Sequence, residues 1–171
     1  MRHILNYFML VFSLIFIVSC NIYSFNGASI PIGSSTVKIT TFKNNTSNSV
    51  PNLQQTISEK LKDIFLEQTN LNLINEEADL SFTGSIEKYE IEPISIKANE
   101  TTKQNRLSIT VKVKYINNIS NKYNYEASFT RYSDFDGLSN VNDLEIELVD
   151  LITDQLVEDI FNKAVINWWW K

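Results

Sequence analysis

From Arg106 to Tyr115 the chain alternates strictly: Leu107, Ile109, Val111, Val113 and Tyr115 are apolar, while Ser108, Thr110, Lys112 and Lys114 between them are polar. Successive side chains of a strand point to opposite faces, so this run is a strand with one dry face and one wet face. A helix could not gather those five apolar residues on one side. Tyr123 to Tyr132 repeats the pattern with Tyr123, Tyr125, Ala127 and Phe129 inward, and the polar link from Asn117 to Asn121 joins the two as an antiparallel hairpin. The chain must therefore build a sheet that is covered on one side only.

The remaining segments supply the cover and the other strands. Thr36 to Phe42 alternates around Val37, Ile39 and Thr41 and predicts a strand; Lys43 to Ser49 reads as a polar loop. A helix is expected from Pro51 to about Thr69, with Leu53, Ile57, Leu61, Ile64 and Phe65 forming one apolar stripe. Leu71 to Ile74 predicts a short strand. Leu80 to Ile91 predicts another, with Leu80, Phe82, Ile86 and Tyr89 turned to the core and Gly84 marking a bulge. Glu92 to Thr102, which holds Pro93, reads as a loop with some extended structure. A second helix is expected from about Asn142 to Trp168. The fold class is α+β: two helices packed on one face of a mostly antiparallel sheet of four to five strands.

The second helix carries an unusual pattern. At 100° per residue, Val141, Leu144, Leu148, Leu151 and Ile152 share one face, whereas Val157, Ile160, Phe161, Ala164 and Trp168 fall on nearly the opposite side. Two readings stand. A kinked or bent helix keeps both faces on its own core, which is the simpler account; alternatively, one half packs on the domain and the other meets a partner.

The N-terminus has the form of an export signal. Met1-Arg2-His3 is a short basic start, followed by an apolar run from Ile4 to Val18, too short to be read first as a spanning helix. It ends in Ile17-Val18-Ser19-Cys20, the lipobox pattern of a bacterial lipoprotein precursor, so residues 1–19 are expected to be removed and Cys20 to carry the lipid. One acyl chain, at about 0.8 kcal/mol per buried methylene, anchors only marginally; two or more hold a protein on a membrane. Asn21 rather than Asp at the second mature position points to the periplasmic side of the outer membrane. Residues 20–35, with Gly27, Pro31 and Gly33, read as the lipidated tether, and residues 36–171 as one domain.

Removing the first 19 of 171 residues leaves 152, enough for a single core, and takes away Arg2 but no acid, so the formal charge of −5 becomes −6. An acidic chain of this kind is not a nucleic-acid binder. His3, the only histidine, leaves with the signal, and Cys20, the only cysteine, is acylated. Catalytic triads, thiol chemistry and histidine-held metals are thereby excluded, and no phosphate-cradling glycine loop is present. No cofactor is expected beyond the covalent lipid, and no enzyme activity.

Several phrases resemble the LptE family of outer-membrane lipoproteins. They are Cys20-Asn21-Ile22-Tyr23-Ser24-Phe25 with Gly27-Ala28-Ser29-Ile30-Pro31, the strand Val37 to Phe42, and Asn105-Arg106-Leu107-Ser108-Ile109-Thr110-Val111. Phe129-Thr130-Arg131-Tyr132 and Leu156-Val157-Glu158-Asp159-Ile160-Phe161-Asn162 complete the set. The resemblance implies two helices on a sheet, seated as a plug inside the LptD β-barrel, helping that barrel assemble and lipopolysaccharide pass to the cell surface. Without the resemblance, an outer-membrane-anchored scaffold or regulator of another envelope machine, such as cell-wall synthesis, fits the same residues.

Lys112 and Lys114 share a strand face, with Lys103 and Arg106 at its start and Arg131 on the next strand. They read either as a cationic patch for lipid A phosphates or as an ordinary solvated face that discourages edge pairing. Phe161 and Trp168 continue the helical stripe and, with Trp169 and Trp170, are the candidate partner contacts; the last two serve either as an interfacial anchor or as a tail without a role. Asp134-Phe135-Asp136-Gly137 begins like a calcium loop but lacks its closing glutamate, and predicts a turn.

Overall fold

The computed structural model describes residues 30–94, 104–137 and 141–165. Cys20, Lys103, Trp168, Trp169 and Trp170 lie outside the described residues, as does the signal segment.

The alternating run is β5 (Gln104–Asn117), the strand around which the sheet is ordered. It pairs antiparallel with β4 (Leu80–Ile94) on one side and β6 (Tyr125–Asp136) on the other. β1 (Thr36–Ile39) lies parallel to β4 and to the two-residue β3 (Asn72–Leu73), giving the order β3-β1-β4-β5-β6. The sixth strand, β2 (Lys43–Asn44), falls in the segment expected to be a loop. It pairs with Ser85 and Ile86 of β4, continuing the line of β1 after a break. In that break Phe42 turns into the core, and its backbone N–H donates to Ser58 Oγ at 2.9 Å.

Helices α1 (Leu53–Gln68) and α2 (Val141–Val165) cover one face of the sheet. α1 starts after Asn52, whose φ of 62° is left-handed, a conformation that asparagine tolerates better than most residues. Its stripe of Leu53, Ile57, Leu61 and Phe65 is buried. Lys60 ties the helices together: its Nζ donates to Asp150 Oδ1 at 2.6 Å and Asp154 Oδ1 at 2.5 Å. Burial alone would lower the Lys60 pKa, but the two carboxylates outweigh it and raise it.

A line of aromatic rings crosses the whole core. Phe161 of α2 meets Phe65 of α1 edge-on at 4.9 Å, Phe65 meets Phe82 of β4 at 5.0 Å, Phe82 meets Tyr115 of β5 at 4.8 Å, and Tyr115 meets Tyr125 of β6 at 5.2 Å between centroids. Offset aromatic pairs of this spacing add to the burial of their apolar area.

Two expectations change. The bulge of β4 sits between Ile86 and Lys88 rather than at Gly84. The extra residue there explains why Ile86 and Tyr89, three apart, share the core face. Gly84 serves a different need: a Cβ on it would stand 2.7 Å from Phe42 Cε2. On α2, the helix runs as one element, and of the face expected from Val141, Leu144, Leu148, Leu151 and Ile152 the core takes Ile152 fully and Leu144 and Leu148 only in part. Val149, Ile152, Leu156, Val157, Ile160, Phe161 and Ala164 are buried, while Leu151 is 50% exposed and Leu144 and Leu148 are half-buried.

Candidate functional site

The uncovered face of the sheet is built by parity. Residues directly opposite in an antiparallel pair share a face, so Arg106, Ser108, Thr110, Lys112 and Lys114 of β5 stand beside Asp134, Tyr132, Thr130, Ser128 and Glu126 of β6. Thr110 and Thr130 hydroxyls are 2.9 Å apart and bond across the strands. Arg106 makes a bidentate pair with Asp134, Nε to Oδ1 at 2.7 Å and Nη2 to Oδ2 at 2.9 Å, and its guanidinium lies 3.6 Å over the Tyr132 ring. That bond holds the Asp134 carboxyl below its ordinary range.

Lys112 reaches diagonally to Glu126, Nζ to Oε1 at 2.5 Å, although Glu126 lies directly opposite Lys114. The bond from Lys112, with the charge of Lys114 behind it, pulls the Glu126 pKa down. Glu87 lines the same groove and also acts on Lys112, so the two lysines face two carboxylates. Lys43 of β2 adds a third lysine: it sits beside Ser85, on the same shallow groove as Thr83, Lys112 and Lys114. Sequence reasoning missed Lys43, because its place depends on a parallel pairing that no local signal announces.

The other candidates separate from this patch. Arg131 lies opposite Ile109, on the helix side of the sheet, where Nε and Nη2 grip the Asp159 carboxylate of α2, each at 2.6 Å. It therefore fastens α2 to the edge strand and does not join Lys112 and Lys114. Phe161, grouped with the terminal tryptophans as a partner contact, is 2% exposed and lies in the chain's own core against Phe65. Asp134 is held by Arg106 within β6, which runs on to Asp136 before turning at Gly137.

At the start of β1, the Asp79 carboxylate closes the beginning of the domain. Its Oδ2 accepts from the Ser35 N–H at 2.8 Å, the Thr36 N–H at 3.0 Å and the Thr36 hydroxyl at 2.8 Å, and the Asp79 N–H donates back to Thr36 Oγ1 at 2.9 Å. These bonds lower the Asp79 pKa, the backbone bond from Ser35 most of all.

The model of the LptE family, described as lipopolysaccharide-assembly, matches residues 34–164. The chain belongs to the LptE family. Its match spans β1 through α2, so the groove, the Asp79 clasp and the helix cover all lie within the LptE region. Solved structures share the fold at low identity. A minor lipoprotein from Acinetobacter baumannii is similar at 15% identity and TM-score 0.53, over 78% of this chain and 94% of that one. A protein from Xanthomonas campestris is similar at 8% identity and TM-score 0.52, over 81% and 90%. A PelC dodecamer from Paraburkholderia phytofirmans is similar at 10% identity and TM-score 0.51, over 81% and 94%. Likeness at these identities speaks for the fold alone. No curated protein sequence matches the chain. Among the described residues of this LptE-family chain, no helix is long and apolar enough to cross a membrane.

Proposed function

We propose that this LptE-family chain is a non-enzymatic outer-membrane lipoprotein, anchored through Cys20, that plugs and helps assemble an LptD-type β-barrel and assists lipopolysaccharide on its way to the cell surface. The observation that carries this reading is the open sheet face. Three strands present Ser, Thr, Lys and paired Arg–Asp groups to solvent, with Leu107, Ile109, Val111, Val113 and Tyr115 of β5 turned the other way and only Ile116, at its end, on the polar side. A face of that kind suits the hydrated, polar lumen of a barrel and would be wasted against another dry surface. Lys112 and Lys114, with Lys43 beside them, are the groups suited to lipid A phosphates, because each ammonium donates charge-assisted bonds to phosphate oxygens. Arg106 stands at the other end of β5, is held by Asp134 and is secondary to them.

The test is co-purification of the lipidated chain from detergent-solubilised outer membrane. A large barrel recovered in stoichiometric amount is the expected result. Recovery of a cell-wall enzyme, or of no partner, would overturn the reading in favour of an anchored scaffold.

A further inference from the structure

The second half of the molecule's surface is unlike the first. α2 carries seven carboxylates against the single basic residue Lys163. At its N-terminal end it overhangs the start of α1, and the two enclose a groove of about 770 Å³. Its apolar lining is Val50, Pro51, Ile146 and the buried Val149, and Ile146 is 78% exposed. Its acidic lining is Glu145, Glu147 and Asp150. Two of these are committed inside the chain: Glu145 accepts the Tyr89 hydroxyl, and Asp150 accepts from Lys60. Glu147 makes no ion pair or hydrogen bond among the described residues.

An exposed isoleucine among carboxylates in one groove selects its occupant. A lysine or arginine side chain is apolar along its stem and cationic at its tip, so the stem covers Ile146 and Pro51 while the tip reaches Glu147. A lipid headgroup is the wrong sign, since phosphate would face three carboxylates across a short distance. A second copy docking through the same surface would set carboxylates against carboxylates, as any two-fold contact repeats one patch on both sides. We propose that this groove is the docking site for a lysine- or arginine-bearing segment of the partner protein, in the reading above the barrel wall, on which this inference rests. Eight of the described residues line the groove, fewer than the roughly 20–30 a side that a stable protein interface uses. It acts as one anchoring point within a larger contact, on the side of the domain opposite the lysines of the sheet.

The experiment uses the full-length lipidated chain expressed together with its barrel. A photo-reactive phenylalanine analogue at position 146 is irradiated in cells, and the crosslinked species is mapped. In parallel, barrel recovery is measured for wild type, Glu147→Lys and Glu147→Gln, with thermal melts of each to confirm that the exposed positions leave the fold intact. The expected result is a crosslink from position 146 to a barrel segment containing Lys or Arg, with barrel recovery cut roughly tenfold by Glu147→Lys and less by Glu147→Gln. If wild type recovers the barrel but position 146 crosslinks to lipid, to a second copy or to nothing, the inference fails and the barrel reading stands. Equal recovery by Glu147→Lys overturns it in the same way. If wild type recovers no barrel, the functional reading itself has failed and the docking site falls with it.

Discussion

The ring of Phe42 lies directly over Gly84, so close that a β-carbon on Gly84 would stand 2.7 Å from its Cε2. Phe42 is itself 2% exposed and belongs to the packed core. Gly84→Ala should therefore destabilise the domain by about 1–3 kcal/mol, the usual cost of overpacking a filled core. Chemical denaturation of the purified variant checks this. A midpoint equal to wild type would mean that the ring shifts freely.

The two faces of α2 should respond unequally to truncation. Phe161→Ala removes one ring from the aromatic line and should cost about 3–5 kcal/mol. Leu151→Ala, at a half-exposed position, should stay within about 0.5 kcal/mol of wild type. Thermal melts of the two variants decide the matter, and similar losses would show that both faces are buried in solution.

Asp79 should make stability depend on pH. Its folded pKa lies below the ordinary 3.8, so the folded state holds a proton less readily than the unfolded chain. The stabilisation is then complete above the ordinary carboxylate range and is lost as pH falls through the depressed folded value. Asp79→Asn should be less stable than wild type at pH 7, and the gap should narrow on acidification below about pH 4. Denaturation midpoints of both proteins across that range test it; a gap that stays constant would assign the effect to packing.

The sheet lysines should matter for anionic lipid and little for folding. Lys112→Glu with Lys114→Glu should weaken lipopolysaccharide binding roughly tenfold, a change of about 1.4 kcal/mol. The melting temperature should barely move, because exposed ion pairs contribute little. Binding to lipopolysaccharide micelles measured by fluorescence provides the comparison, and unchanged binding in a folded variant returns the patch to a solvated surface.

Lipid attachment is tested most directly at its one candidate residue. Cys20→Ser should abolish incorporation of a radioactive fatty acid while leaving the domain folded. Label retained on the variant would sink the anchor proposal.

Much of this fold could be read because its central strands obey period two. Leu107 through Tyr115 declares its dry face without help from the rest of the chain, and the inward set Tyr125, Ala127, Phe129 carries the same parity to Arg131. Followed two residues further, that parity already places Arg131 on the helix side, and only its closeness in sequence to the lysine strand suggested otherwise. The parallel pairings of β1, β2 and β3 left no such trace, since short parallel strands are fixed by distant neighbours and not by a hairpin link. Lys43 was hidden for that reason. The bulge was misplaced because glycine is a common mark of one, whereas here Gly84 makes room for a ring and Glu87 is the residue that breaks register. On α2 the periodicity shows two apolar faces, but that the core takes Val149 and Ile152 and leaves Leu151 half-exposed depends on where Phe65 and Phe82 stand.

The Asp79 clasp also decides how the domain answers a mechanical pull. Ser35 and Thr36 are held at the mouth of β1, and β1 lies between β3 and β4 with both neighbours running in its own direction. Tension arriving through the preceding residues is thus directed along the strand axis. It meets the clasp first and then loads the hydrogen bonds on both flanks of β1 together, in shear, instead of peeling them one at a time. A domain tugged by its leading end in this geometry yields late and all at once.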